Sequence, residues 1–441
     1  MRNRRHPIRL LAALTLAAST LLAIPAASAQ RGPQSLPLQA QLRSLPAERL
    51  RTLPASQAAL DKVAANALTA TRRLELERLV RDHRDAIDTD RAGAPVVRSE
   101  IVAIDPSADA LQRARAAGFT VASERGLDEL GLRIVVLRAR EGVGTRAALR
   151  RMQRLDPDGQ YDYNHLYLGS ASTASLPTAA VSSAGGTAGG RHVRVGLVDS
   201  GVDGAHPALA GVELQPWGCG GRQHPDRHGT AVASLLAGDT GHGSRAPVTL
   251  LAADIYCGQP TGGAATGLAE AMAWLARERV GVINLSLVGP HNRLLERVVQ
   301  AMSGRGHVLV AAVGNDGPAA PPLYPAAYPE VIGVTAVDAR LRALPEAGRG
   351  PQVDFAAPGA ELRVAIPGGG WDVARGTSFA APLVARLAAQ IVPVANADHG
   401  DGVRTVLAAQ ASDLGTRGRD NTYGHGLVGA APGFASAGAP R

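Results

Sequence analysis

The sequence predicts an α/β fold in which a doubly wound parallel sheet follows a smaller α+β module. Three observations support this prediction. From residue 191 onward, apolar strand-like runs alternate with segments of helical period, a pattern typical of a parallel sheet covered by helices on both faces. Residues 95–169 instead follow the order strand, helix, strand, strand, helix, strand. A stretch rich in Ser, Ala, Thr and Gly, residues 170–190, separates the two parts and predicts a flexible tether.

The chain begins with a segment typical of export signals. Four arginines within residues 2–9 precede an apolar run, residues 10–24, and a small-residue cleavage site at residues 27–29. The apolar run is short for a membrane span. Residues 1–29 are therefore predicted to be a signal peptide that is removed, with retention as an anchor as the alternative. We expect an exported protein, either periplasmic or secreted.

Residues 30–94 are predicted to be a helical leader, because Leu, Ala and Arg recur with helical period and only Pro46 and Pro54 interrupt the pattern. The α+β module that follows has the element order of a ferredoxin-like unit. Its predicted strands are residues 96–104, 119–123, 132–137 and 161–168, and its predicted helices are residues 107–118 and 144–155.

The second part of the chain, residues 191–432, is predicted to be one domain, with a short tail at 433–441. Functional residues of such sheets gather at the carboxyl ends of the strands. Asp199, Ser286 and Asn315 each follow or end a predicted strand. The predicted strands are residues 193–198, 248–255, 282–287, 308–313 and 331–337, and the predicted helices are residues 229–236, 264–279 and 293–303.

Four short motifs in this domain supply the groups that acyl transfer needs. Attack on an amide carbonyl requires a nucleophile, a base, an anion that orients the base, and a donor for the oxyanion. Ser378, His228, Asp199 and Asn315 have those chemistries in turn. Taken singly, each residue is more simply a helix cap, a surface histidine or a turn former. Taken together and in order, they predict a catalytic site.

The order Asp, His, Ser and the sequence around each residue resemble the subtilisin-like serine peptidases. The resemblance runs from about residue 191 to about residue 430 and includes the restrictive motif Gly-Thr-Ser-Phe-Ala-Ala-Pro around Ser378. It implies a subtilisin-like fold and an endopeptidase. It also implies that Asp199 orients the base, His228 is the general base, Ser378 is the nucleophile and Asn315 contributes to the oxyanion hole.

The same resemblance implies a substrate-binding set. Ser286, Leu287 and Val288 correspond to the segment that pairs with the substrate backbone, and Ala312 and Gly314 correspond to the wall of the pocket for the residue before the scissile bond. These walls are uncharged, so we expect an uncharged side chain there. Val288 stands where relatives usually have Gly, and its branched side chain is expected to narrow the cleft or restrict φ.

The module at 95–169 is similar in type to the propeptides that precede subtilisin-like domains. That likeness implies a zymogen whose own N-terminal module templates folding and occupies the cleft through its last strand. An unrelated accessory domain is the alternative, since the likeness rests on pattern and not on a motif.

The only two cysteines, Cys219 and Cys257, are expected to form a disulfide, because an isolated pair in an exported protein is most simply oxidised. Two free thiols are the alternative. Two ligands alone make a poor zinc site, so no metal site is predicted. The chemistry requires no cofactor, and the sequence leaves open whether a structural calcium ion binds.

The charge distribution argues against a nucleic-acid partner. The formal net charge is +8, but residues 1–190 hold 26 basic and 18 acidic residues, whereas residues 191–441 hold 20 of each. No basic stripe with interleaved aromatic residues occurs. The expected partners are protein or peptide substrates and the chain's own N-terminal module, with no nucleic acid and no membrane after signal removal. A non-catalytic peptide-binding protein on the same scaffold is the alternative function.

Overall fold

The computed structural model describes residues 57–169, 172–174, 192–238, 247–396 and 402–430. The predicted signal peptide (1–29) lies outside the described residues. So do the first part of the leader, most of the tether and the C-terminal tail. No helix in the described ranges combines the length and the apolar character that crossing a membrane requires.

The described part of the leader is a long helix, α1 (Gln57–Asp82). It begins after Pro54 and contains neither Pro nor Gly, which explains its length. Beyond it, β1 (Ile87–Thr89) pairs antiparallel with β2 (Pro95–Ile104). The last leader residues therefore extend the sheet of the module, which the sequence boundary at residue 94 did not anticipate.

The module continues from β2 with two helices and three further strands. Its strands are antiparallel and lie in the order β5-β2-β4-β3. One sheet face packs on the two helices, and the other contributes Val102, Leu132 and Ile134 to a core shared with the second part of the chain. The elements are α2 (Ala108–Ala116), β3 (Thr120–Leu127), β4 (Leu132–Arg138), α3 (Thr145–Leu155) and β5 (Gln160–Gly169).

Within the described residues, seven parallel strands form the sheet of the second part. Their order is β15-β14-β13-β11-β7-β9-β8. The strands after β6 (Ser172–Ala174) are β7 (Val193–Asp199), β8 (Val212–Trp217), β9 (Val248–Asp254), β10 (Gly263–Ala264), β11 (Val282–Leu285), β12 (Leu287–Val288), β13 (Val308–Ala312), β14 (Val331–Val337), β15 (Phe355–Pro358), β16 (Leu362–Ile366) and β17 (Gly370–Arg375).

Helices cover both faces of this parallel sheet, as predicted. Two of them, α4 (Arg227–Leu236) and α7 (Thr377–Ile391), pack on one face, and two others, α5 (Ala265–Arg277) and α6 (Arg293–Ser303), pack on the opposite face. A further helix, α8 (Gly402–Gln410), follows near the C-terminus. The chain crosses from one half of the sheet to the other between β7 and β11, so the carboxyl ends of these strands flank the switch point where α/β sheets bind ligands.

The last strand of the module, β5, leaves its own sheet and enters the second part of the chain. It pairs antiparallel with β10 on one side and with β12 on the other. Three residues later, β6 pairs antiparallel with β17. The sequence predicted a flexible tether from residue 170, and this short strand is a departure from that prediction, because β17 offers β6 an unpaired edge.

Candidate active site

The carboxylate of Asp199 ends β7, an interior strand of the parallel sheet between β11 and β9. The strand reads Val-Arg-Val-Gly-Leu-Val-Asp and is buried from Val195 onward, and it carries Asp199 to the sheet edge with 2 % of its surface exposed. The Oδ1 atom accepts hydrogen bonds from the backbone N–H of Ser200 at 2.7 Å and from Nδ1 of His228 at 2.8 Å. An ionised carboxylate in this place holds the imidazole with its proton on Nδ1.

The imidazole of His228 lies in the first turn of α4. Asp226 caps this helix by accepting the backbone N–H of His228 at 2.8 Å, and its carboxylate also bonds the Ser200 hydroxyl. Burial lowers the pKa of His228, but the carboxylates of Asp199 and Asp226 outweigh burial, so the net shift of the pKa is upward. The Nε2 atom has no hydrogen-bond partner in the described part of the chain.

The electrostatic role of Asp226 gives a testable pH dependence. Asp226→Asn keeps a capping oxygen and removes a negative charge, so the pKa of His228 is expected to fall. Because only the neutral imidazole accepts a proton, the acidic limb of the profile of kcat/KM against pH should move to lower pH. Glu361→Gln, at an exposed position, is the matched control and should leave the acidic limb of the profile at its wild-type pH. An unchanged limb in Asp226→Asn would show that this carboxylate does not act on the base.

The hydroxyl of Ser378 lies in the first turn of α7. The N-cap of this helix is Gly376, whose φ of 136° is a conformation that favours glycine. The side chain is fully buried, and its Oγ donates to the backbone carbonyl of Ser286 at 3.3 Å. The hydroxyl of Ser286 donates in turn to the Ser378 carbonyl at 2.9 Å. These two hydrogen bonds tie the start of α7 to the residue after β11, so Ser286 holds the turn that carries Ser378.

The amide of Asn315 follows β13 and faces the same turn. Its Oδ1 accepts the backbone N–H of Thr377 at 3.1 Å, which leaves the Nδ2 group as the available donor. The hydroxyl of Thr377 accepts the backbone N–H of Gly314 at 3.2 Å. Thr377 thus fixes Asn315 and Gly314 against the helix that carries Ser378, a positioning role that the sequence argument did not assign. Ala312, by contrast, is wholly buried in the core beneath this edge.

The predicted substrate-binding strand is occupied by the chain itself. Leu287 pairs with Gly169 and Val288 pairs with Leu168, both antiparallel. At Gly169, a methyl group in place of the α-hydrogen would lie 3.8 Å from the ring of His228. The strand β5 thus ends beside this imidazole, and β6, which pairs with β17, begins three residues later in the sequence.

Tyr167 anchors β5 in this groove, and sequence reasoning did not single it out. Its ring is fully buried against Gly289, where an added Cβ would come within 2.5 Å of the ring. Its hydroxyl donates to the carbonyl of Pro290 at 2.9 Å. Burial raises the pKa of Tyr167 well above its usual value, so the hydroxyl stays protonated and able to donate.

Cys219 and Cys257 form the predicted disulfide, with Cα atoms 5.2 Å apart. The Asp254 carboxylate at the end of β9 shapes this loop, because its Oδ1 accepts the backbone N–H groups of Tyr256 and Cys257 at 2.9 Å each. The two sulfur atoms and Asp254 lie close enough together to resemble a metal cluster, but both sulfurs are used in the disulfide.

Loss of this disulfide is expected to destabilise the folded protein. The bond closes a loop across a sequence separation of 38 residues, for which the chain-entropy model gives about 3–4 kcal/mol. Replacing both cysteines by Ala in a Ser378→Ala background, which prevents self-digestion, should lower the free energy of unfolding in urea by that amount. The control is the Ser378→Ala protein with and without reductant. A reduced protein as stable as the oxidised one would contradict the expectation.

Comparison with known proteins assigns the second part of the chain. A family model described as the subtilase family matches residues 190–426. This chain belongs to the subtilase family. A subtilisin from Bacillus pumilus is 32 % identical over 249 residues, covering 54 % of this chain and 90 % of the relative. Subtilisin E from Bacillus subtilis (strain 168) is also 32 % identical over 249 residues, covering 54 % of this chain and 65 % of the relative.

The fold likeness extends further along the chain than the sequence likeness. The crystal structure of fervidolysin from Fervidobacterium pennivorans, described as a keratinolytic enzyme related to subtilisin, matches with a TM-score of 0.62 at 21 % identity. The match covers 76 % of this chain and 60 % of that one. The predicted subtilisin-like fold is thereby confirmed, and the family places this chain among the subtilisin-like serine endopeptidases.

Proposed function

We propose that this chain is an exported serine endopeptidase, made as a zymogen, that hydrolyses peptide bonds through Asp199, His228 and Ser378. The observation that carries the proposal is the 2.8 Å bond between Asp199 Oδ1 and His228 Nδ1, made at the sheet edge where Ser378 and Asn315 also lie. This bond leaves Nε2 of the imidazole as the basic atom.

The reaction follows from these groups. Ser378 Oγ turns from the Ser286 carbonyl toward Nε2 of His228, transfers its proton there and attacks the substrate carbonyl carbon. The oxygen of that carbonyl becomes an oxyanion that Asn315 Nδ2 and the positive end of the α7 dipole stabilise. His228 then gives its proton to the leaving amine, and water hydrolyses the acyl-enzyme with the same base.

Substitution of Asn315 tests the oxyanion donor. Asn315→Leu keeps the side-chain volume and removes the amide, so kcat is expected to fall by about 10²-fold or more with little change in KM, because the oxyanion exists only in the transition state. Asn421→Leu at an exposed turn is the control and should leave both constants unchanged. A loss carried by KM instead of kcat would make Asn315 a substrate-binding residue.

The zymogen proposal is supported by the position of β5. An extended strand paired on both sides, ending beside His228, is the geometry of a substrate or product strand added to a sheet edge. The buried Tyr167 gives this strand an apolar anchor with a satisfied hydroxyl. The module therefore has the features of an inhibitor that holds the cleft after cleavage.

The leader helix makes a second contact with the part of the chain that contains Ser378. Arg72 of α1 pairs with Asp316, the residue after Asn315, with 3.5 Å between Nε and Oδ1. Both side chains are about one-fifth exposed. Burial raises the pKa of Asp316, and the guanidinium of Arg72 opposes that shift. The leader helix thus covers the loop that carries the oxyanion donor.

Export is supported by the predicted signal peptide, by the disulfide and by one relative, the minor extracellular protease Epr of Bacillus subtilis, which is 29 % identical over 245 residues. Fractionation of cells that express the full chain tests this part. We expect the protein outside the cytoplasm with an N-terminus beyond residue 29.

A fluorophosphonate probe tests the catalytic proposal. The processed protein should be labelled at a single residue, and mass spectrometry of the adduct should map it to Ser378. The alternative, a peptide-binding protein without activity, predicts no labelling of properly folded protein. Labelling at another serine would reject the assignment of the nucleophile.

A further inference from the structure

A recess beside the nucleophile is filled by two side chains of the protein itself. Gly314 faces this recess with its α-carbon. A methyl group placed on Gly314 would lie 2.7 Å from Cδ1 of Leu323 and 3.6 Å from Cγ1 of Val288. The first distance is below any ordinary carbon contact. The space in front of Gly314 is therefore narrower than one added methyl group.

In a bound substrate, the side chain of the attacked residue is expected to point into this recess. The residue that Ser378 attacks must have its carbonyl oxygen beside Asn315, which directly follows Gly314. Gly169 pairs with Leu287 and faces the ring of His228, so we take it as the counterpart of the substrate residue one position before the attacked one. Successive side chains of an extended strand point to opposite faces. The side chain of the attacked residue consequently points away from His228, toward Gly314 and Val288.

The amino-acid sequence between β5 and β6 supports the same restriction independently. Between the end of β5 at Gly169 and the start of β6 at Ser172, the chain reads Gly-Ser-Ala-Ser. None of these residues has a side chain larger than a hydroxymethyl group. A peptidase that processes its own chain in this segment must accept a small residue before the scissile bond, whichever of the bonds it cuts.

We propose that the enzyme cleaves after Gly, Ala or Ser and that Leu323 and Val288 exclude larger side chains. Val288 is held by its pairing with β5, and Leu323 lies against the same face of Gly314 as Val288. The inference rests on the proposed function, since it concerns the cleft that contains Ser378. It restricts the side chain before the scissile bond from any uncharged one to a small one. The expected substrates are extended segments rich in small residues.

A set of internally quenched peptides that differ only in the residue before the scissile bond tests the proposal on enzyme purified from the full chain. We expect kcat/KM for Ala and Ser to exceed that for Leu and Phe by at least about tenfold, because a pocket discriminates 10–200-fold per misplaced methylene. Cleavage of the Leu or Phe peptide as fast as the Ala peptide would overturn the proposal.

The Leu323→Gly variant asks whether the recess causes the preference. Its ratio of kcat/KM for Phe over Ala should rise at least about tenfold over wild type. Leu341→Gly is the matched control, because Leu341 already has a positive φ of 60° that glycine accepts, and its ratio should stay at the wild-type value. An unchanged ratio in a folded Leu323→Gly enzyme would remove Leu323 from the proposal, and Leu323→Ala serves where the glycine variant does not fold.

The recess and the catalytic activity are tested by different outcomes. Peptides that are cleaved with a preference for large residues reject only the inference about the recess. A protein that cleaves no peptide and takes no fluorophosphonate label rejects the proposed function itself.

Discussion

Replacement of Ser378 by Ala is expected to abolish peptide hydrolysis while the fold stays intact. The substitution removes one oxygen atom whose hydrogen bond in this structure runs to the carbonyl of Ser286 at 3.3 Å, so little packing is lost. Loss of a member of such a triad typically lowers the rate by several orders of magnitude, because the nucleophile and the base act as a unit. Initial rates on a quenched peptide, compared at equal concentrations of folded protein, measure the effect.

A second serine of the same edge is the appropriate control. Ser286→Ala removes the side-chain hydrogen bond between Ser286 and α7 but keeps the nucleophile. We expect Ser286→Ala to be impaired and still measurable, whereas Ser378→Ala should show no turnover above background. More than a tenth of the wild-type activity in Ser378→Ala would refute the assignment of the nucleophile.

The parallel sheet and its edge were predictable because their signals are local. The buried strands are mostly apolar runs, and polar residues such as Asp199 and Asn315 stand at or just after the ends of these runs. The helix at 293–303 was predictable from its strong periodicity in the same way. The prediction that β5 enters the cleft came from the likeness of the module to propeptides, together with the position of this strand just before the tether.

Other features depend on contacts that no local pattern encodes. The run at 282–287 was predicted as one strand, but it breaks at Ser286, whose hydroxyl and carbonyl turn toward Ser378. The strands β15, β16 and β17 are only 4, 5 and 6 residues long, so their sequences do not stand out from loops. The pair Arg72 and Asp316 joins distant parts of the chain, and only the folded structure reveals it.

The expected narrowing of the cleft by Val288 combines an observation from the sequence with one from the structure. The sequence identified Val288 as a departure from the glycine that relatives usually have, and it left open whether the effect is on cleft width or on φ. The structure has Val288 in a regular strand pairing, outside the residues with positive φ. In the proposal made above, Val288 narrows the cleft together with Leu323, whose part in the recess was not predicted.

The second large effect is expected from removal of the module. Residues 191–441 expressed alone should refold poorly after denaturation, and addition of the 96–169 fragment should restore refolding. The parallel sheet is assembled from strands that are far apart in sequence, so its transition state requires loop closure before contacts can compensate for it. The module sheet packs Val102 and Ile134 into the core formed by α5 and α6, so it contributes part of that core in advance.

The same fragment should inhibit the mature enzyme, because β5 fills the groove between β10 and β12 and inserts Tyr167 beside Gly289. Tyr167→Ala in the fragment separates the two roles, since it removes the buried ring and its bond to the Pro290 carbonyl without touching the core of the module. We expect this variant to inhibit at least about tenfold more weakly, as truncation of a buried aromatic anchor typically costs 2 kcal/mol or more. Arg154→Ala, on the opposite side of the module in α3, is the control and should inhibit like the wild-type fragment.

Efficient refolding of 191–441 without the fragment, together with no inhibition at micromolar concentration, would make the module an accessory domain. The pairing of β5 would then be a consequence of covalent attachment alone.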